Sequence, residues 1–367
     1  MINLALLEQR VLRIIKGRKT YRDASDRQWT LCDPGEYESL PAVFLDGDLK
    51  KIRDVDHVST YAGEMSRLDV GTKTCGATVA YQFSNASIFH GYVYKSAMKY
   101  PFVDAAETWT SNENVVHLPN ALVTSNAYTC RYFGHWVIES LTLELAALHL
   151  NVSAVTPEQS FYKHQADYRN LIGLNPLPVS RARCDQLIIL DDIAANRFKR
   201  ERFEQIRLQI RSKLKPRHFN HGVMFLRKGS GSNRVLVNEM EVAEFLKSQG
   251  FTVIDAETIT ASEVMSEVLG AKVVIGVEGS QLTPAIYALD DSGIILALQP
   301  PDRFGTCHKE YTDLLGMRYG FLVGESVPGG FKVNIDDVAK LLERIDHTGG
   351  WQSANSVAEE TRQASAV

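Results

Sequence analysis

The fold class of this 367-residue chain follows from residues 223–299, which read VMFLRKGSGSNRVLVNEMEVAEFLKSQGFTVIDAETITASEVMSEVLGAKVVIGVEGSQLTPAIYALDDSGIILALQ. Four short apolar runs, VMFL, FTVI, KVVIG and GIILAL, alternate with amphipathic stretches of helical length. This alternation is typical of βαβ units, in which helices join the strands of a parallel sheet. The sequence therefore predicts an α/β fold with a parallel sheet in this segment.

The ends of the predicted helices carry recognisable capping residues. Two pairs have the spacing of a capping box, Asn238 with Glu241 and Thr260 with Glu263. Glycines at positions 250 and 270 follow the two helical stretches, and glycine readily adopts the left-handed conformation that ends a helix. These signals place both helices between predicted strands.

Polar residues cluster where three of these strands are predicted to end. They are Arg227, Lys228 and Arg234 after the first strand, Asp255 and Glu257 after the second, and Gly276, Glu278, Gly279, Ser280 and Gln281 after the third. Ligands of open parallel sheets bind beyond the carboxyl ends of the strands. The three cations suit a diphosphate and a carboxylate suits a sugar hydroxyl. The alternative for Arg227 and Lys228 is that they are solvated surface charges.

Composition and missing motifs exclude several classes of protein. Forty basic residues against 44 acidic ones give a net charge of −4, which argues against nucleic acid as the main partner. The sequence lacks the motif GxGxxG, which argues against a dinucleotide-dependent oxidoreductase. It also lacks GxxxxGK[ST], which argues against a P-loop kinase. Five cysteines without CxxC spacing indicate reduced thiols and a cytosolic setting instead of a disulfide scaffold or a zinc site.

Length and local composition predict the domain organisation. A chain of 367 residues favours two domains, and the proposed limits are residues 1–214, with a β-rich entry region up to about 100, and residues 215–330. A closing helix is expected within 331–347 and a polar tail in 348–367. The basic stretch 197–218 is interpreted as a solvated helix leading into a linker, or alternatively as a patch for an anionic membrane or acceptor. The N-terminus is amphipathic and lacks the continuous apolar core of a signal peptide, and no apolar run is long enough to span a membrane. We therefore expect a cytoplasmic protein, and as a second possibility one that contacts the inner membrane peripherally.

The first half contains one candidate catalytic pair. The apolar spacing from Val137 to Leu148 predicts a helix that starts near His135, so His135 and Glu139 lie on one face. A histidine that is oriented by a carboxylate can act as a general base. The alternative is a core or capping histidine beside a packed Trp136.

Three ordered motifs, GHWVIES at 134–140, FLRKGSGSNRVLVNEMEVAEFLKSQGF at 225–251 and AKVVIGVEGSQLTPAIYAL at 271–289, together resemble the family 61 glycosyltransferases over roughly residues 100–330. The resemblance implies a GT-B-type architecture, in which two Rossmann-like domains face each other across a cleft. It also implies an inverting transfer of a sugar from a nucleoside diphosphate, expected to be UDP, to a hydroxyl of a glycan or polysaccharide. Capsule biosynthesis is an example of such a reaction, and no cofactor is expected. By position, the family's functional residues fall on His135, Trp136, Glu139, Arg227, Arg234, Asn238 and Glu239.

The chain also departs from the family pattern. Glu278 stands where many members have a histidine, so this loop is expected to bind a sugar hydroxyl or a base edge. Thr142 and Leu143 replace a common Pro-Arg pair, which affects the choice of acceptor. The acidic pairs 191–192 and 336–337 are interpreted as a loop and a helix start, so transfer is predicted to need no metal. A polysaccharide pyruvyltransferase and a non-catalytic glycan- or partner-binding protein remain as alternatives.

Overall fold

A computed structural model of the protein describes residues 3–103, 105–110, 114–218, 222–228 and 234–347. The chain divides into two compact units, one formed by Met1–Gly35 and Thr74–Gln205, the other by Glu36–Lys73 and Ile206–Val367. This division differs from the predicted limit at 214/215 because it assigns residues 36–73 to the second unit. Both units contain helices and sheets, which confirms the α/β class. The GT-B arrangement stays a prediction.

The first unit contains an eight-stranded mixed sheet. Its strands follow one another across the sheet in the order Met98–Pro101, Tyr92–Lys95, Thr78–Phe89, Arg181–Asp191, Val116–Val123, Ser153–Pro157 and Leu177–Val179, and Arg27–Cys32 pairs with Thr78–Phe89. Arg181–Asp191 runs antiparallel to Thr78–Phe89 and parallel to Val116–Val123. The early strands Arg27–Cys32, Thr78–Phe89, Tyr92–Lys95 and Met98–Pro101 are thus part of the same sheet as the later ones. This part of the β-rich entry region is not a separate layer.

Helices cover this sheet and surround its apolar core. They are Leu4–Lys16, Tyr21–Ala24, Ala127–Arg131, Phe133–His135, the π-helix Trp136–Ser140, Leu141–His149 and Gln165–Ile172. Ala146 and Ala147 pack in one buried cluster with Leu122 and Ile188 of the sheet. The small alanines allow Leu141–His149 to approach the strands closely, and this contact fixes the preceding π-helix on the sheet.

The second unit contains a five-stranded sheet in which every neighbouring pair is parallel. The strand order is Thr252–Ile254, Gly222–Phe225, Val273–Val277, Ile294–Gln299 and Arg318–Val323. Its central strands are buried throughout, as expected when helices cover both faces. The parallel sheet predicted from residues 223–299 is confirmed. Two further strand pairs are present, Gly35–Ser39 with Gly71–Cys75 and Glu325–Val327 with Gly330–Lys332.

The helices of the second unit follow the predicted alternation. They are Asp48–Lys51, Tyr61–Leu68, Glu239–Ser248, Ala261–Val268, the 3₁₀-helix Ser280–Leu282, Ala285–Ala288, Cys307–Leu314 and Ile335–His347. The capping box at Thr260 is confirmed, and Gly250 and Gly270 adopt positive φ angles of 86° and 83°. The capping box at Asn238 is wrong, because its side chain does not cap the helix and instead bonds the backbone of Val333.

The basic stretch that begins at residue 197 forms the helix Arg197–Lys213, but its interpretation as a solvated helix is wrong. Lys199, Arg202 and Arg207 are each at most 4% exposed. They are buried because each has a carboxylate partner, Asp192 for Lys199 and Arg202, and Asp291 for Arg207. Three of the nine lysines and arginines in residues 197–218, the stretch that suggested an anion-binding patch, therefore hold the fold together.

The helix predicted to close the second unit is confirmed as Ile335–His347, with Asp336 and Asp337 in its first turn. The predicted polar tail lies outside the described residues. Among the helices that the structure describes, none combines the length and the apolar character needed to span a bilayer. The cellular location stays a prediction.

Candidate active site

The His135–Glu139 pair forms in the first unit as its spacing predicts. Asn126 starts the helix Ala127–Arg131 through a capping box, and the next short helix, Phe133–His135, leads directly into the π-helix. The Nδ1 atom of His135 lies 2.5 Å from Oε1 of Glu139. Oε2 of Glu139 accepts a hydrogen bond from Nδ2 of Asn126 at 3.2 Å. The carboxylate is thus held on both oxygens.

Glu139 lies within the π-helix Trp136–Ser140, which leads into the regular helix Leu141–His149. Such wide turns are frequent at functional sites, because they leave backbone groups outside the normal α-helical pattern. The hydroxyl of Thr142 donates to the carbonyl groups of Ile138 and Glu139 at 2.9 Å, which supports the turn. Thr142 replaces the family's proline, which has no such hydroxyl, so the departure has a local structural role.

The electrostatics of the pair suit proton transfer. Burial raises the pKa of Glu139, but the hydrogen bond and charge of His135, the charge of Lys199 and the bond from Asn126 outweigh it and hold the pKa below the usual value. Glu139 is therefore an anion that accepts the Nδ1 proton, which leaves Nε2 as the basic nitrogen. The His135 side chain is 46% exposed. A partly buried anion, whose side chain is 25% exposed, thus orients a histidine that faces solvent.

A cavity of about 280 Å³ lies in the same unit and was not anticipated from the sequence. Trp136, the neighbour of His135, lines it together with Thr129, Phe161 and Asn170. Arg169 also lines it and forms a buried ion pair with Glu144 at 2.7 Å. Aromatic and amide side chains of this kind are suited to bind a sugar. The residues that line the cavity are spread over 125–178, so no short sequence motif predicts it.

In the second unit, the strand-end residues form a connected network around Arg227. Arg227 follows the strand Gly222–Phe225 and is only 7% exposed. Its Nη1 donates to Oε1 of Gln281 at 2.8 Å, while its backbone N–H donates to Glu239 at 2.7 Å. Gly279 adopts a φ of 154°, and a Cβ there would collide with the Arg227 guanidinium. The interpretation of Arg227 as a solvated surface charge is therefore wrong.

Arg234 and Glu278 meet in the same network. Nη1 of Arg234 donates to the carboxylate of Glu278 and, at 2.8 Å, to its backbone carbonyl. Nη2 donates to Asp56 at 3.1 Å, and Asp56 also pairs with Arg303. Burial first and then the charge of Arg234 lower the pKa of Arg227. Two arginines near one another in a partly buried position form an electropositive site, which Glu278 and Asp56 partly neutralise.

The side chains of the remaining predicted residues make contacts of their own, although the backbone N–H of Lys228 also donates to Glu239 at 2.9 Å. Lys228 has a positive φ of 49° and pairs with Asp255 at 2.7 Å, while Glu257 is exposed. Asn238 bonds Val333 and so anchors a later segment. Ser280 begins the 3₁₀-helix that follows Gly279. The loop 229–233 of the predicted phosphate site lies outside the described residues.

Glu278 has two further neighbours that sequence reasoning missed, Cys307 and His308. They begin the helix Cys307–Leu314, about 30 residues later in the chain. A Cys-His pair after a predicted strand is the only signal the sequence offers for this contact.

The comparison with protein families gives one match over the middle of the chain. The family model described as Glycosyltransferase 61 matches residues 133–295. This segment is a family 61 glycosyltransferase domain. A search among curated proteins returned no match. The matched glycosyltransferase segment begins two residues before His135 and contains Glu139, Arg227, Arg234, Glu278 and Gln281.

Proposed function

We propose that this family 61 glycosyltransferase is an inverting enzyme that transfers a sugar from a nucleoside-diphosphate sugar to a hydroxyl of a glycan or polysaccharide. The observation that carries the proposal is the exposed His135, whose Nδ1 is bonded to the partly buried carboxylate of Glu139. A domain without a catalytic role gains nothing from orienting a surface imidazole with a carboxylate that is itself held by Asn126.

In the proposed reaction, Nε2 of His135 takes the proton of the acceptor hydroxyl. The acceptor oxygen forms a bond to the anomeric carbon while the bond from that carbon to the diphosphate oxygen breaks. The electron pair of the broken bond stays on the nucleoside diphosphate. Glu139 stabilises the imidazolium that forms, which is the usual role of a carboxylate behind a general base.

The donor is proposed to bind through the second unit. Arg227 and Arg234 would stabilise the negative charge that develops on the leaving diphosphate, without a divalent ion. Arg234 must then share its charge between the ligand and its partners Glu278 and Asp56. UDP as the nucleotide, a capsular or similar polysaccharide acceptor and a cytoplasmic location with inner-membrane contact are proposed from the family resemblance.

Calorimetric titration with a panel of nucleoside diphosphates and nucleotide sugars tests the donor site before any acceptor is known. The expected result is micromolar binding of one nucleotide and a loss of about 2 kcal/mol or more in Arg234→Ala. Lys340→Ala is the matched control, because Lys340 is exposed and pairs only locally with Asp337.

The other outcomes of this titration distinguish the proposal from its alternatives. Binding of phosphoenolpyruvate without any nucleotide would replace the proposal by a pyruvyltransferase. Nucleotide binding without release of nucleoside diphosphate against any glycan acceptor would indicate a non-catalytic protein. No binding of either ligand would overturn the proposed donor site.

A further inference from the structure

Three side chains that carry metal-ligand atoms converge at the end of the strand Val273–Val277. Oε1 of Glu278 lies 3.3 Å from Sγ of Cys307 and 3.7 Å from Nδ1 of His308. Sγ of Cys307 lies 3.6 Å from Nδ1 of His308. Among the residues that the structure describes, this is the one group of three such side chains that brings its ligand atoms together so closely.

The three distances match the edges of a tetrahedral zinc site. With bonds of about 2.3 Å to sulfur and about 2.0–2.1 Å to nitrogen or oxygen, neighbouring ligand atoms of Zn²⁺ lie roughly 3.3–3.6 Å apart. The observed triangle has a common point about 2 Å from all three atoms, which is a bond length to a metal. The two edges at Cys307 are also hydrogen-bond contacts of its thiol, which holds the three atoms together before an ion binds.

The histidine is oriented to serve as a ligand. Its Nε2 lies 3.1 Å from the hydroxyl of Thr283, so Nε2 can carry the proton and Nδ1 is left with its lone pair toward Glu278 and Cys307. His308 itself is 2% exposed.

The other two ligands are also held in place. Glu278 is 3% exposed, and Arg234 occupies its second oxygen, which leaves Oε1 for the metal. The start of the helix that carries Cys307 is fixed by Glu64, which accepts bonds of 2.7 Å from both the backbone N–H and the hydroxyl of Thr306. Cys307 is exposed as a residue, which gives an ion access from solvent.

We propose that Glu278, Cys307 and His308 bind one Zn²⁺ ion, with the fourth position open to water. Sulfur, nitrogen and oxygen ligands together select a borderline-soft ion over Mg²⁺. Binding replaces the thiol proton of Cys307, which passes to solvent, so the thiolate and carboxylate neutralise the added charge. The ion joins the strand-end loop at Glu278 to the helix Cys307–Leu314. It thereby supports the position of Arg234, and it is not the ion that a metal-dependent glycosyltransferase would place on the diphosphate.

This inference is independent of the proposed function, because the experiment measures the metal and not turnover. The full chain is stripped with chelator and titrated with Zn²⁺ against a competing colorimetric chelator, and then with Co²⁺ to detect thiolate-to-cobalt charge transfer. The expected result is one ion per chain with a charge-transfer band. Cys307→Ser should remove the band, and His308→Gln should weaken Zn²⁺ binding at least tenfold. Thr283→Val should weaken it roughly 10-fold to 100-fold, as for other residues that orient a ligand.

Cys75→Ser is the control, since Cys75 is also partly accessible and lies outside the cluster. It should bind Zn²⁺ like the parent chain. If a variant fails to fold, the thermal melting temperature of the parent chain gives a second measurement, because Zn²⁺ should raise it and Mg²⁺ should not. Absence of Zn²⁺ binding, or unchanged cobalt spectra in Cys307→Ser, would overturn the proposal.

Discussion

Asp192 occupies the centre of a buried ion-pair network, and Asp192→Asn should destabilise the first unit strongly. Its carboxylate accepts hydrogen bonds from both terminal nitrogens of Arg202 at 2.7 and 2.9 Å and pairs with Lys199 at 2.7 Å. The hydroxyl of Thr78 donates a further bond at 3.0 Å. Arg202 is fully buried. An amide at position 192 would leave two buried cations without a counter-charge.

The size of the effect follows from two arguments. Removing one partner of a buried pair costs about 3–5 kcal/mol, because an uncompensated charge remains. Burial alone would raise the pKa of Asp192, but the charges and hydrogen bonds of Lys199 and Arg202 lower it from 3.8 to about 2, which corresponds to about 2 kcal/mol of stability. Since the folded-state pKa is depressed, this contribution is complete above about pH 4 and is lost as the pH falls toward 2.

Urea unfolding followed by tryptophan fluorescence measures this effect, because Trp29, Trp109 and Trp136 all belong to the first unit. The adjacent Asp191→Asn is the matched control, since Asp191 pairs with Arg22, whose side chain is 59% exposed, and should change the free energy of unfolding by less than about 1 kcal/mol. Equal effects of the two substitutions would refute the reasoning. If Asp192→Asn does not fold, acid unfolding of the parent chain between pH 4 and 2 provides the same information.

Three further predictions concern the proposed reaction. His135→Ala should lower turnover by about two to four orders of magnitude with donor affinity retained, and Glu139→Gln should lower it less; unchanged rates in both would exclude this pair from the mechanism. Gly279→Ala should weaken nucleotide binding at least tenfold in calorimetry, because its Cβ would displace the guanidinium of Arg227, whereas Gly329→Ala, at a positive φ of 88° but with nothing within 4 Å of the added Cβ, should not. Turnover should need no added Mg²⁺ or Mn²⁺, and EDTA treatment should not abolish it; a loss that Mg²⁺ restores would contradict a metal-free leaving group, while a loss that only Zn²⁺ restores would point to the Glu278 cluster.

Features that depend on local periodicity or on the spacing of nearby residues could be predicted from the sequence. The parallel sheet of the second unit follows from apolar runs that alternate with helical stretches, and the helix stops follow from Gly250 and Gly270. The contact between His135 and Glu139 follows from their spacing of four residues. In each case the deciding interaction lies within a few residues of the chain.

Predictions about charged residues were less successful, because burial depends on partners that are distant in sequence. Nothing in the pattern of residues 197–213 distinguishes the buried Arg202 from its exposed neighbours until Asp192 is placed beside it. Arg227 is buried under Gln281, 54 residues later, while the adjacent Lys228 is exposed and pairs with Asp255. The partner of a charge decides whether it is solvated or structural.

The sequence by itself therefore determined the α/β class, the parallel sheet of the second unit and the candidate base, all of which arise from local periodicity and spacing. Only the tertiary structure decided that the early strands Arg27–Cys32 and Thr78–Phe89 join one mixed sheet with later strands, and that Glu278 meets Arg234, Cys307 and His308. These contacts join segments up to about 100 residues apart. They form when packing of the apolar core brings strand ends together, and no local pattern records which ends will meet.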